Sequence, residues 1–206
     1  MNALLETIRK LATQYEEEGI SIRRHLHAHP ELSYQERNTS AYIQQQLTKW
    51  NIPYSVRAET GVVGIIRGNH PEKRVIALRA DIDALPIEET NEVPYRSKNK
   101  GVMHACGHDV HTTCLLGAAR ILQECRKEWE GTVKLIFQPG EEKNPGGASL
   151  LIKEGVLKDP APQAIFALHV HPQLETGKLS FRSGQVMASA DEIYITITGK
   201  GGHAAA

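Results

Sequence analysis

The sequence predicts an α/β fold, an αβα sandwich built on a mixed, largely parallel sheet. Two observations predict it. Segments with the apolar spacing of helices alternate with short apolar runs typical of strands. Polar and charged residues also follow directly after several of these runs, at the strand ends where open α/β sheets bind their ligands.

Three helices are predicted in the first fifty residues. Apolar residues at helical spacing indicate a first helix from Leu4 to about Glu18. A second helix covers Ile20 to His27, before His29-Pro30, and a third, amphipathic helix covers Glu36 to Trp50. We interpret the histidines that precede Pro30 mainly as packing and capping residues beside the strand ends where a ligand would bind.

Strands and helices then alternate along the chain. The run Val75 to Ala80 is almost entirely apolar, which favours a buried central strand. The other predicted elements are strands at 54–57, 62–67, 132–138 and 163–169, a helix from His108 or Thr112 to Trp129, and a helix at 148–154.

The pattern changes after Gly184. Residues Asp191 to Thr198 alternate isoleucine with polar residues, as a half-buried strand does, and the chain ends soon afterwards at Ala206. Such a strand would lack a neighbour and leave an open edge. We therefore predict that 1–185 belongs to one domain. We predict that 186–206 is the truncated start of a second domain.

Composition narrows the possible partners and the compartment. Lys plus Arg and Asp plus Glu both number 24, so the formal net charge is zero, which argues against nucleic acid or an anionic membrane as the main partner. No apolar stretch approaches the length of a membrane span. The chain start lacks the features of a secretory signal, and three cysteines do not suggest a disulfide framework. We expect a cytoplasmic protein.

The sequence Cys106-Gly107-His108 is the first of three patches that suggest a metal site. Thiolates and imidazoles bind borderline divalent metals such as zinc. Gly107 allows the backbone to bend so that both side chains face one ion. We interpret the nearby His104 and His111 as supporting residues rather than ligands.

Glu141 and Glu142 follow the second patch's apolar strand. Adjacent residues of an extended chain point in opposite directions, so one glutamate is free to coordinate a metal while the other reaches the metal-activated water. That division suggests hydrolysis, with a carboxylate that takes and returns a proton. The alternative, a solvated acidic loop, is disfavoured by the position after a buried strand.

His169 closes another apolar strand and is the third patch. His171 alternates to the same face and competes for the role, but we favour His169. At the end of the central strand, Asp81 and Asp83 share a face. We favour Asp83 as the carboxylate that holds the second nitrogen of a ligand histidine.

Five ordered motifs carry a family resemblance. They are His-Pro-Glu-Leu at 29–32, Arg-Ala-Asp-Ile-Asp-Ala-Leu-Pro at 79–86, Met-His-Ala-Cys-Gly-His-Asp at 103–109, Gln-Pro-Gly-Glu-Glu at 138–142 and Gly-Lys-Gly-Gly-His-Ala-Ala at 199–205. The chain resembles the aminoacylase/carboxypeptidase-like metallopeptidases. More narrowly, it resembles their amidohydrolase branch of hippurate hydrolases, auxin-conjugate hydrolases and N-acetyl-amino-acid deacetylases.

The resemblance implies that 1–185 is the N-terminal part of a metal-dependent catalytic domain that holds two metals. It implies that 186–206 is the start of an inserted lid domain, through which the enzyme forms a homodimer. It implies four metal ligands in this chain, namely Cys106, His108, Glu142 and His169. Glu141 would be the general base, Asp83 the acid behind the site, and His203 a lid histidine that stabilises the oxyanion. The substrates would be small-molecule N-acyl amino acids, cleaved at the amide bond.

Two ions are expected in the full-length enzyme, and the thiolate and imidazoles favour zinc, with manganese, cobalt or nickel as alternatives. In the family a further histidine ligand follows the lid, beyond Ala206. We therefore expect little activity from this chain alone. The alternative function is a non-catalytic metal-binding module or degenerate fragment. Glu141 discriminates between these hypotheses, because a binding module needs no spare base beside a ligand.

Overall fold

The computed structural model describes residues 2–187 and 193–203 of the chain. The chain divides into two units, residues 1–170 and 171–206. All helices and strands found among the described residues lie in the first unit. The boundary expected at 185–186 stays a prediction.

The strand expected from Asp191 to Thr198 begins outside the described residues. Residues 193–198 form no strand, and Ile193, Ile195 and Ile197 are all largely exposed. An alternating pattern becomes a strand only when another strand pairs with its backbone. No such pairing is present within the described residues. Ala204 and Ala205 of the last motif also lie outside them.

The three helices expected at the start are present. They are α1 (Asn2–Gln14), α2 (Glu16–Ala28) and α3 (Arg37–Lys49). The chain turns at Tyr15, so α2 begins four residues earlier than expected. Two further helices lie later in the sequence, α4 (His108–Glu124) and α5 (Gly147–Lys153). Helix α4 ends five residues before the expected end at Trp129.

Five strands form one mixed sheet. They are β1 (Tyr54–Arg57), β2 (Gly61–Arg67), β3 (Val75–Asp81), β4 (Thr132–Gln138) and β5 (Ala164–Ala167), in the order β1-β2-β4-β3-β5. The pairs β1–β2 and β2–β4 are antiparallel, whereas β4–β3 and β3–β5 are parallel. The mixed sheet is confirmed. Its parallel part is the group β4, β3 and β5, whose carboxyl ends therefore meet at one edge.

Helices cover both faces of this sheet. One apolar cluster joins α2, α3 and α4 to one face, and Leu116 and Phe137 lie at its centre with no exposed surface. A second, smaller cluster joins Ile136 of the same strand β4 to Leu151 of α5 on the other face. Alternate residues of β4 thus point to opposite layers. This arrangement is the expected αβα sandwich.

None of the helices in the described residues is long and apolar enough to cross a membrane. Strand β5 lies at an edge of the sheet, and all four of its residues are exposed. The segment that follows β5 therefore receives little support from the strand itself.

We expect Leu116→Ala to lower the free energy of unfolding by about 2–5 kcal/mol, because the side chain is fully buried in the main apolar cluster. The matched control is Ile152→Ala on α5, where the side chain is 56% exposed and the change should stay within about 0.5 kcal/mol. Urea unfolding of both variants measures the difference. Equal losses would contradict this description of the core.

Candidate metal centre

The candidate site lies at the carboxyl ends of the three parallel strands β4, β3 and β5. Strand β3 leads into Asp83, β4 leads into Glu142, and β5 leads into His169. Helix α4 begins there as well, at His108. The parallel pairing of the three strands brings these segments together from distant parts of the sequence.

The four predicted ligands form two groups that share His108. Cys106, His108 and His169 each offer a ligand atom within 4.8 Å of the others, and Cys106 Sγ lies 3.4 Å from His169 Nε2. His108 Nε2 lies 3.7 Å from Glu142 Oε1. In a tetrahedral zinc site the ligand atoms lie about 3.3–3.8 Å apart, given bonds of about 2.0–2.3 Å. The 3.4 Å and 3.7 Å separations therefore suit ligands of a small divalent cation.

Two orphaned atoms support this interpretation. His108 Nε2 and Glu142 Oε1 are buried and have no hydrogen-bond partner among the described residues. An unpaired buried polar atom is costly unless another interaction compensates it. A cation between these two atoms would satisfy both, and thiolate, imidazole and carboxylate form a donor set that suits zinc.

The hydrogen bonds of the two histidines leave the correct nitrogen free. His108 Nδ1 lies 2.9 Å from the carbonyl oxygen of Asp83, and His169 Nδ1 lies 2.8 Å from that of Val170. A carbonyl only accepts, so both Nδ1 atoms carry the proton and donate. Both Nε2 atoms therefore keep a lone pair, as metal ligands require.

Asp83 lies directly behind His108, at the position predicted for it. Its Oδ1 atom is 3.2 Å from His108 Nδ1, while Oδ2 accepts hydrogen bonds from the Ser33 hydroxyl and the Glu142 amide. Burial opposes the charged form, but the hydrogen bonds with His108 and Ser33 outweigh it and lower the pKa of Asp83. One ionised carboxylate thus holds the ring of one candidate ligand, His108, and the backbone of a second, Glu142.

The thiol of Cys106 needs a cation to ionise. Burial, followed by the charge of nearby Glu142, raises the pKa of Cys106 to about 12. The thiol is therefore protonated at neutral pH in the metal-free protein. A coordinated divalent cation reverses this preference and deprotonates a thiol outright.

Glu141 and Glu142 differ in exposure, as expected of adjacent residues with separate roles. Glu142 is half-buried and Glu141 is exposed, and both offer a carboxylate oxygen within 4.8 Å of a His108 nitrogen. Desolvation, followed by the charge of Glu142, raises the pKa of Glu141. A carboxylate with a raised pKa is a better proton acceptor.

Sequence reasoning missed the residues that hold this glutamate loop. The fully buried Glu36 accepts a hydrogen bond from the Gly140 amide at 2.8 Å, and the Tyr34 hydroxyl donates to the Lys143 carbonyl at 2.7 Å. Gly140 has a φ of +52°, and a Cβ there would lie 2.2 Å from Tyr34 Cε1. In the sequence, the glycine of the motif at 138–142 is the only sign that another side chain approaches the backbone so closely there.

Asp81 and His111 form a second hydrogen-bonded pair at the same edge. His111 Nδ1 lies 2.6 Å from Asp81 Oδ1, and Arg79 binds the other oxygen of Asp81 at 2.7 Å. Asp81, His108 and His111 also each offer a possible ligand atom within 4.8 Å of the others. A guanidinium on the same carboxylate disfavours a cation there, so we interpret this pair as support for the site.

A buried network connects α2 to the start of α4. His27 Nδ1 lies 2.7 Å from Asp109 Oδ2, and His27 Nε2 lies 3.1 Å from Glu89 Oε1. Arg23 binds the same oxygen of Asp109 at 2.9 Å. His104 is also buried, which lowers the pKa of this imidazole to about 4 and keeps it neutral. Of the histidines that precede Pro30, His27 thus packs against α4, the helix that begins at His108.

His171 and His203 both lie in the second unit. The ligand groups found among the described residues include His169 and not His171. The role of His203 at an oxyanion stays a prediction.

Residues 77–203 match the family described as peptidase family M20/M25/M40. The chain belongs to this family. The resemblance drawn from the five motifs is therefore confirmed, and so is the assignment to a fold shared by metallopeptidases.

Two curated relatives and one solved structure place this M20 chain more narrowly. It is 42% identical over 201 residues to the N-acyl-L-amino acid amidohydrolase of Geobacillus stearothermophilus, covering 97% of this chain and 54% of the relative. It is 44% identical over 206 residues to thermostable carboxypeptidase 2 of Saccharolobus solfataricus, covering 98% and 52%. The structure of the Bacillus subtilis YXEP protein, described as a dinuclear metal binding peptidase from the M20 family, has a TM-score of 0.75. It is 44% identical and covers 80% of this chain and 46% of that one. The chain thus spans about half the length of the relatives that it matches.

Gly107→Ala should damage the site, because Gly107 has a φ of +93° and an added Cβ would lie 2.3 Å from Val170 Cγ2. We expect a loss of about 1–3 kcal/mol in the free energy of unfolding, together with weaker zinc binding. Gly117→Ala, within helix α4, is the control. There a Cβ meets nothing within 4 Å, and stability should rise by about 0.5–1 kcal/mol. Zinc affinity unchanged in Gly107→Ala would be inconsistent with the proposed loop.

The acid stability of the metal-free protein should depend on Asp81. Burial raises its pKa, but the hydrogen bond with His111 and nearby positive charges lower it from 3.8 to about 2. A lowered carboxyl pKa stabilises the fold above the unfolded value and loses that effect as pH falls toward the folded value. The contribution is about 2 kcal/mol at pH 5, and about 1 kcal/mol of it should be lost by pH 3.

Urea unfolding of the protein and its Asp81→Asn variant at pH 5 and pH 3 tests this expectation. The difference in unfolding free energy between the two proteins should shrink by about 1 kcal/mol at the lower pH. A constant difference would show that Asp81 does not titrate as described.

Proposed function

We propose that the protein is a metal-dependent amidohydrolase that cleaves the amide bond of N-acyl amino acids with water. The observation that carries the proposal is the pair Glu141–Glu142 beside His108. One glutamate is half-buried against the candidate ligands, and the other is exposed and free to handle a proton. The M20 family, and the similarity to an N-acyl-L-amino acid amidohydrolase, support the same chemistry.

Four side chains would hold the cation, namely Cys106, His108, Glu142 and His169. Asp83 would keep His108 in the tautomer that leaves Nε2 free. When bound, a divalent cation supplies a Lewis acid that lowers the pKa of a coordinated water to about 7. Zinc is our proposal for its identity, with manganese, cobalt or nickel as competitors.

Glu141 would accept a proton at its carboxylate as water attacks the acyl carbon. It would hold that proton and return it to the leaving nitrogen when the amide bond breaks. His203 is proposed to donate a hydrogen bond to the developing oxyanion from the lid. The substrate proposed is a small N-acyl amino acid.

We also propose a cytoplasmic homodimer that assembles through the lid. Cys106, Cys114 and Cys125 are free thiols, which suits a reducing compartment. The dimer rests on the family resemblance of the lid motif alone.

Glu141→Gln in the complete gene product should reduce kcat by about 10²–10⁴-fold while metal content stays unchanged, because the amide cannot accept the proton. Glu142→Gln should instead lose bound metal. The same change at the exposed Glu17 of α2 is the control and should leave both properties unaltered.

The assay uses a panel of N-acetyl and N-benzoyl amino acids and a dipeptide, with metal content measured by elemental analysis. The dipeptide separates N-acyl amino acid hydrolysis from carboxypeptidase activity, which the name of a second relative suggests. Full activity in Glu141→Gln would overturn the proton-transfer role. Tightly bound metal without turnover on the entire panel would favour the non-catalytic metal-binding module.

A further inference from the structure

His111 lies beside the candidate ligands but is itself fully engaged. The side chain is only 4% exposed, and its Nε2 atom accepts the amide proton of Val170 at 2.9 Å. Because Nε2 accepts, the imidazole proton is on Nδ1, which donates to Asp81 at 2.6 Å. Neither nitrogen has a lone pair left for a cation. His111 therefore contributes through its neighbours.

The neighbour that His111 holds is the residue directly after a ligand. Three contacts hold Val170. Its amide donates to His111, and its carbonyl accepts a hydrogen bond from His169 Nδ1. Its side chain packs against Gly107, in the space that a Cβ would otherwise occupy. The rings of His111 and His169 also meet edge to face, with centroids 4.5 Å apart. Together these contacts set His169 Nε2 3.4 Å from Cys106 Sγ.

Strand β5 offers His169 no comparable support. The strand ends at Ala167, lies at the sheet edge and has only exposed residues. Asp81, in contrast, is 1% exposed at the end of the inner strand β3, where Arg79 binds it. Arg79 also donates to Gln138 of β4 at 2.9 Å. Asp81, at the buried end of β3, is thus connected through His111 to the segment that carries His169.

We propose that His111 is a positioning residue that holds the His169 segment against the Cys106–His108 loop, so that the ligands are arranged before a metal binds. The inference rests on the ligand role of His169 in the proposed function. It assigns His111 no direct contact with the metal or the substrate.

Three variants of the complete gene product test the inference. His111→Phe keeps a ring of similar size and removes both hydrogen bonds, whereas His111→Gln keeps one donor and one acceptor. Thr112→Val is the matched control. Thr112 is the next residue of α4 and is buried, and its hydroxyl donates to the Asp81 carbonyl at 2.9 Å.

Two measurements are made on each variant. Amide hydrogen exchange of Val170 in the metal-free protein reports the contact itself, and chelator competition reports zinc affinity. We expect His111→Phe to speed exchange at Val170 by about tenfold and to weaken zinc binding by about 10–100-fold. His111→Gln should recover most of the affinity, and Thr112→Val should leave both values near those of the parent.

Zinc affinity that stays within twofold in His111→Phe would overturn the proposal, and so would equal losses in His111→Phe and Thr112→Val. Should His111→Phe fail to fold, His111→Met removes the same two bonds with a more adaptable side chain. Failure of both to fold would make His111 a general stability residue and would also overturn the proposal.

His169→Ala separates this inference from the proposed function. If that variant keeps the parent's zinc affinity, His169 is not a ligand, and both proposals lose their basis. If it binds zinc more weakly while His111→Phe does not, only the positioning role fails. Faster exchange at Val170 in His111→Phe with both affinities reduced supports the two together.

Discussion

The parallel pairing of β4, β3 and β5 is the constraint on which the site depends. Its register places Asp81 opposite Gln138 and Arg79 opposite Ala167. The segments that leave these strands therefore start from one edge of the sheet, although they lie far apart in the sequence. A slip of one residue would turn every side chain of a strand to the opposite face. The ligand positions thus depend on the same hydrogen bonds that hold the sheet.

The site concentrates ionisable side chains in a region with little water. His108, Asp81 and Asp83 are each about 1% exposed, and an unpaired charge in such a place would be strongly destabilising. Each carboxylate is paired instead, Asp83 with His108 and Ser33, and Asp81 with His111 and Arg79. Among the candidate ligands, His108 Nε2 and Glu142 Oε1 lack such a partner in the described part of the chain, and so do both ring nitrogens of the nearby His104 and one oxygen of Asp109. A cation between His108 Nε2 and Glu142 Oε1 would satisfy those two atoms.

The candidate site residues could be proposed from the sequence, because their chemistry is visible at strand ends. A cysteine, two histidines and two glutamates after apolar runs are unusual enough to indicate a metal site, and Asp83 followed from strand alternation. The contacts that hold them could not be predicted in the same way. Glu36 bonds to Gly140 across 104 positions of sequence, so the register of the whole fold decides whether they meet.

The strand expected at 191–198 shows the opposite limit. Its alternation of apolar and polar residues is typical of a half-buried strand. A strand also needs a neighbouring strand to pair with, and the local pattern carries no information about that neighbour. The described part, residues 193–198, remains irregular and exposed. Local periodicity therefore predicted elements well where the chain supplied a sheet or a helix layer to pack against, as in β3 and β4.

The two candidate ligand histidines are supported in different ways, and their surroundings explain why. His108 opens a buried helix, so Asp83 reaches its ring directly and fixes Nδ1. His169 is exposed beyond an edge strand, where no buried carboxylate meets its ring in the described residues. Its backbone is the part that the buried interior reaches, through the Val170 amide and His111. A ligand on an uncovered edge is therefore held through its main chain, whereas a ligand within the core is held through its side chain.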